Sequence, residues 1–212
     1  MRTPIRIVAI GAFALVCGVI VEGEGGAATQ IGIPLNCSKG PSDQKHKVLV
    51  TVPPSAAVGS TYKVRIDGVD SGKISHIGLN YIFDMWSEWL VPAGTQYVEG
   101  SARIVPDTGS PNVRPKARVV HQNGVVNLVL PAHVENGSSY TPPSFEFSLK
   151  VTGKPGSSIE QAFRRYRVTA NAFLMGDVYT TCDPKPKPFQ VATTKVAPSA
   201  APPAAPAPSA AP

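Results

Sequence analysis

The chain lacks an apolar run long enough to cross a bilayer. Its longest, residues 7–21, holds fifteen mostly apolar residues, against the ~20 that a spanning helix needs. No stable transmembrane segment is therefore expected in the mature protein. Cysteine is scarce, at three residues, and no histidine stands at ligand spacing from any of them, which argues against a zinc site. The four histidines, His46, His76, His121 and His133, are scattered and read as surface or strand-face residues. There is no Gly-x-Ser-x-Gly elbow, no phosphate-binding glycine loop and no His-Glu-x-x-His, so the enzyme classes built on those motifs are not indicated. No nucleic-acid-binding module is recognisable. Neither metal nor cofactor is expected.

What the chain does have begins with a leader. Arg2 and Arg6 precede the apolar run, and Gly25-Gly26-Ala27-Ala28 follow it, the layout of a secretory signal peptide cut after Ala28. A retained anchor and a lipoprotein acylated on Cys17 are the competing readings; the run is short for the first, and Val16 stands where the second needs a small residue. Cleavage removes Cys17 and leaves Cys37 and Cys182 as one pair in an oxidising compartment. A bridge between them would close nearly the whole foldable region, for which the chain-entropy model gives roughly 5 kcal/mol. Losing Arg2, Arg6, Glu22 and Glu24 leaves the net charge at +6. Such a surface is attracted to anionic polysaccharide or lipid of a cell envelope. After Asp183 prolines alternate with lysines, and residues 197–212 are only Ala, Pro and Ser. Such a segment buries too little apolar area to offset its ordering entropy. The expected organisation is a signal peptide at 1–28, one domain at 29–183 and a disordered Pro/Ala-rich tail at 184–212.

Between the cysteines the dominant period is two. Residues 47–52, 61–67, 117–121, 125–130 and 145–152 alternate as strands. Turn signals separate them at Val58-Gly59-Ser60, Asp67-Gly68, Asn123-Gly124 and Asn136-Gly137, with Asn123-Gly124 the clearest hairpin. This spacing predicts an all-β, immunoglobulin-like antiparallel β-sandwich. Ser157-Ser158-Ile159-Glu160 reads as a capping box opening the one short helix.

Cys37 at the mature start, Val52-Pro53-Pro54, Leu90-Val91-Pro92-Ala93-Gly94-Thr95, Tyr140-Thr141-Pro142-Pro143, Gly153-Lys154-Pro155-Gly156 and the closing Cys182 together resemble secreted β-sandwich proteins of actinobacteria, an uncharacterised group. The resemblance implies a fold and an extracellular or cell-wall address, and brings neither an activity nor site residues.

Four clusters are candidates for chemistry. Asp67 and Asp70 share a turn and could begin a calcium site, although both are also ordinary turn residues. Asp84 and Glu88 could form a glycosidase pair, but four strand positions separate them by ~13 Å. Tyr81, Phe83, Trp86 and Trp89 form the densest aromatic stretch. Under strict alternation Tyr81, Phe83, Met85 and Trp89 face the core, and Trp86 stands outside between Asp84 and Glu88. Arg164, Arg165 and Arg167 could hold an anion by bidentate pairing or simply line a solvated strand face. Trp86 and the three arginines are the candidate binding surface. The expectation is a secreted or envelope-associated binding or structural module rather than an enzyme. The alternatives are an envelope hydrolase or lyase with dispersed site residues, whose geometry sequence does not reveal, and a carrier of a hydrophobic ligand between the sheets.

Overall fold

The computed structural model describes residues 21–23, 26–40 and 44–199. Residues 1–20 of the expected leader and 200–212 of the expected tail lie outside them. The strands are β1 (Val21–Gly23), β2 (Gly26–Cys37), β3 (Lys45–Thr51), β4 (Ser55–Ala57), β5 (Thr61–Gly68), β6 (Leu79–Leu90), β7 (Thr95–Tyr97), β8 (Arg103–Ile104), β9 (Arg118–Gln122), β10 (Val125–Leu130), β11 (Val134–Glu135), β12 (Phe145–Val151), β13 (Ser158–Ala172), β14 (Gly176–Pro184) and β15 (Phe189–Ala197). Among the described residues the one helical element is a 3-10 turn, Arg114–Lys116.

The strands form the antiparallel β-sandwich expected from the alternation. One layer runs β7–β12–β5–β3–β2, and the other β9–β10–β6–β13, with β14 and β15 sharing the free edge of β13. Strand β2 joins the layers. Its residues 28–34 pair with β3, and its last three pair with β14, Leu35 opposite Pro184 and Cys37 opposite Cys182. The Cys37–Cys182 disulfide closes that corner across 145 positions of sequence. Inward residues of both layers fill the space between. Ile33, Val50, Val64, Phe145, Phe147 and Leu149 meet Met85, Trp89, Ile159 and Phe163, all essentially inaccessible. Trp89 is edge-on to Phe163 at 5.3 Å and to Phe145 at 6.3 Å, a geometry the ring quadrupoles favour.

Local chemistry explains the turns. Gln122 pairs with Val125, leaving Asn123 and Gly124 as a two-residue loop at φ +51° and +72°; both values are those of a type I′ turn, which matches strand twist. At Gly68 the need is for space, since a Cβ would overlap the Pro142 carbonyl.

Three expectations are corrected. Residues 157–163 are not helical. Ser157 Oγ donates backward to the Lys154 carbonyl at 2.6 Å, closing the turn through Gly156 at φ +82° instead of capping forward. Ile159, Gln161 and Phe163 then bury at period two between β6 and β15. The domain also does not stop at Asp183. Within the expected tail, Phe189–Ala197 is a strand pairing with β13 and, in parallel, with β4, and it buries Val191, Thr194 and Val196. Those few apolar residues were hidden by the Pro/Ala composition around them. Finally, alternation along β6 breaks at Asp84. Its φ of +48° marks a bulge where the β13 register slips between Arg167 and Thr169. Beyond it the faces exchange: Ile82 packs on the core, while Tyr81 and Phe83 leave it for His133, Tyr81 stacked on the imidazole at 4.6 Å and Phe83 tilted to it at 5.2 Å.

Candidate functional site

Strands β6 and β13 bring the predicted surface together. Register places Glu88 opposite Arg165 and Trp86 opposite Arg167, with Arg164 in a second irregularity after Phe163. The inward partners of this stretch, Met85, Ser87 and Trp89, are buried as expected, so Trp86 stands half-buried on the outer face. Its indole Nε1 donates to Asp84 Oδ1 at 2.9 Å, and the Arg167 guanidinium covers its ring at 4.6 Å. Glu88 is buried and lies between two arginines, Arg167 Nε at 2.6 Å from Oε1 and Arg164 Nε at 3.7 Å from Oε2. The shorter contact is a charge pair and not an aligned hydrogen bond, for the Arg167 N–H does not point at the carboxylate. Arg165 donates to Asp183 Oδ1 at 2.9 Å, and Lys187 to Oδ2 at 2.7 Å. Burial opposes ionisation of Asp183, but these two cations outweigh it and hold its carboxyl below the usual range.

The three arginines are thus each paired with one of the protein's own carboxylates, Glu88 or Asp183, and the Trp86 face is covered by Arg167. A sugar ring stacking on Trp86 would have to displace Arg167. Asp84 and Glu88 are committed to the same network. The calcium candidates are likewise engaged: Asp67 accepts from Arg65 at 2.9 and 3.0 Å, and Asp70 caps the Gly72 amide at 2.7 Å. No group of three or more metal-ligating side chains converges among the described residues.

His46 is a strand-face residue, and the face of β3 it occupies is the inner one, its ring 5.2 Å from Phe163 and 5.4 Å from Tyr166. Its Nε2 is 3.5 Å from Ser87 Oγ, which accepts from Trp89 Nε1 at 2.9 Å. Nearby, the Tyr140 and Tyr166 hydroxyls meet at 3.0 Å. Burial lowers the His46 pKa to about 4 and raises both tyrosines. The cavity these groups line is about 20 Å³, room for about one water and too small for a hydrophobic cargo. An open cleft of about 410 Å³ lies between Asn112, Pro115, Lys116 and the 131–133 turn.

The surface that sequence reasoning missed is at the opposite end of β14 from the disulfide. The β13–β14 hairpin turns through Phe173, Leu174 and Met175, exposed to 66, 91 and 74 %. Beside it Ile77, exposed to 98 %, ends the loop that enters β6. The two turns are tied by a hydrogen bond from the Phe173 amide to the Gly78 carbonyl at 2.6 Å. One signal was present in the chain: Ala172-Phe173-Leu174-Met175-Gly176 is apolar where a turn is ordinarily polar. Nothing in the sequence brought Ile77 to it.

No family model and no curated protein matches the chain. Among solved structures it is similar to a cohesin module of a Clostridium perfringens family 33 glycoside hydrolase, with 12% identity, TM-score 0.34 and coverage of 80% of this chain and 100% of that one. The sixth cohesin of scaffoldin B from Acetivibrio cellulolyticus gives the same four values. The collagen-binding domain of a Staphylococcus aureus adhesin has 9% identity, TM-score 0.34 and coverage of 78% and 99%. Similarities this distant carry no argument about function.

Proposed function

We propose that the protein is an exported, extracellular or cell-wall-associated binding module that attaches through the apolar tip formed by Ile77, Phe173, Leu174 and Met175. The observation that carries this reading is the exposure of four adjacent large apolar side chains on two bonded turns. Soluble proteins rarely leave such a group uncovered unless it is an interaction site. The leader-like N-terminus and the Cys37–Cys182 bridge support the address, since disulfides persist in oxidising compartments. The internal pairing of Arg164, Arg165 and Arg167 moves the contact surface away from them.

Cosedimentation of the mature protein with isolated cell-envelope material tests the proposal. Phe173→Ser with Leu174→Ser abolishes the binding, while neutralising the three arginines leaves it in place wherever those variants stay folded. Envelope binding that survives the tip substitutions overturns the assignment.

A further inference from the structure

The shape and surroundings of the tip point to its partner. The four side chains project from two turns, with 66 to 98 % of their surface exposed. Residues 172–176 carry no charge, and neither do residues 77–79. Near the turns the exposed charges are of both signs: Lys73 lies four residues before Ile77, Glu135 is opposite Tyr81, and Asp177 directly follows Gly176 and accepts from Asn171 Nδ2 at 2.7 Å. Three backbone donors at the tip are also paired within the protein. Besides Phe173 to Gly78, the Met175 amide donates to Ala172 at 3.2 Å and the Leu79 amide to His76 at 3.2 Å. Apolar side chains can therefore enter a medium without hydrogen-bonding partners while these amides stay satisfied. Three residues up β14 from Gly176, about 10 Å along the strand, Tyr179 is half-exposed, opposite Thr169. An amphipathic ring at that depth suits the headgroup level when the tip reaches the acyl boundary.

We propose that the tip inserts into the interface of a lipid membrane, with Ile77, Phe173, Leu174 and Met175 in the acyl region and Tyr179 among the headgroups. This rests on the binding-module reading and names its partner. The mixed local charge makes insertion depend on apolar burial and not on the +6 net charge of the whole chain. The four side chains hold about as much apolar matter as one acyl anchor, which gives reversible binding on the order of 10⁴ M⁻¹.

Flotation of the mature protein with phosphatidylcholine vesicles tests this, at low salt and at about 1 M, where exposed charges are screened beyond ~3 Å. The expected result is binding at both, weakened about tenfold or more by Leu174→Asp or Phe173→Ser. Neither side chain belongs to the core, and unchanged thermal unfolding verifies the fold of each variant. An environment-sensitive dye on Leu174→Cys should shift to the blue on adding vesicles. Absence of vesicle binding while envelope binding stays tip-dependent overturns the lipid assignment alone and assigns the partner to protein or glycan. Loss of both overturns the binding-module reading as well. Binding that requires anionic lipid, disappears in salt and ignores Leu174→Asp assigns attachment to net charge and overturns the insertion. Tip-dependent self-association without vesicle binding does the same in favour of a second copy of the chain.

Discussion

Acidification should weaken this protein well before its carboxylates titrate, because of one histidine. His46 sits between Phe163 and Tyr166 with Ser87 at its Nε2, and burial holds its pKa at about 4, below the ordinary 6.5. The sign follows from proton counting. Between these values the unfolded chain carries a proton at His46 that the folded protein refuses, so lowering pH favours unfolding. Stability is complete above pH 6.5 and declines as pH falls toward 4. From about pH 7.5 to about pH 5 the loss is about 2 kcal/mol, or roughly 4–8 °C in unfolding temperature for a chain of this size. The residue keeps some exposed surface, which makes this an upper bound. Glu146 and Asp183 contribute in a separate window. Burial opposes the charge of each, but Arg103 and Lys63 on the first, and Lys187 and Arg165 on the second, outweigh it and hold both carboxyls low. Their stabilisation is present above the ordinary carboxylate pKa and is lost only as pH falls through the lowered values. Thermal unfolding followed across this pH range for the native protein and for His46→Gln isolates the histidine. The variant loses packing and a fixed amount of stability, and its profile between about pH 7.5 and pH 5 should be flatter by the amount above. An unchanged slope in His46→Gln, or a His46 imidazole that titrates near 6.5 by NMR, refutes the reasoning.

Two further outcomes follow from the packing. Reducing Cys37–Cys182 should lower stability by roughly 5 kcal/mol, the chain-entropy value for a closure of this length, or about 10–20 °C, as differential scanning calorimetry with and without reductant will show; an unmoved midpoint would mean that the β2–β14 ladder alone constrains the chain ends. Gly68→Ala should cost about 1–3 kcal/mol in urea unfolding, because the new methyl meets the backbone carbonyl of Pro142, which has no rotamer to yield. In the same assay Gly32→Ala, whose Cβ meets only the flexible Lys45 side chain at 3.9 Å, should be close to neutral.

Much of the fold was legible wherever period, turn chemistry and burial agreed. Strands at 45–51, 61–68, 118–122, 125–130 and 145–151 fall where alternation placed them, and Asn123-Gly124 forms its hairpin, since only residues tolerating positive φ close a two-residue loop with strand twist. The misreadings occurred where a local pattern supported two structures. Ser157 and Glu160 satisfy a capping-box pattern, yet Ile159 and Phe163 found partners in β6 and β15 that a lone helical turn would not have had. The final strand was lost in an averaged composition.

The candidate site was less legible, because a side chain's availability depends on what faces it. Arg164, Arg165 and Arg167 are a basic cluster in sequence, and pairing across β6 and β14 gives each a carboxylate partner, Glu88 or Asp183. His46 is one polar letter in an apolar strand, and only the closing of the sandwich gives it Phe163, Tyr166 and Ser87 as neighbours. By itself, then, the sequence determined the strand period, the hairpin, the candidate pair Cys37 and Cys182 and the net charge, all properties of neighbouring residues or of composition. The tertiary structure alone decided that Ile77 joins Phe173, Leu174 and Met175 in one exposed tip and that the arginines are already occupied. Both depend on residues far apart in the chain brought together by strand register.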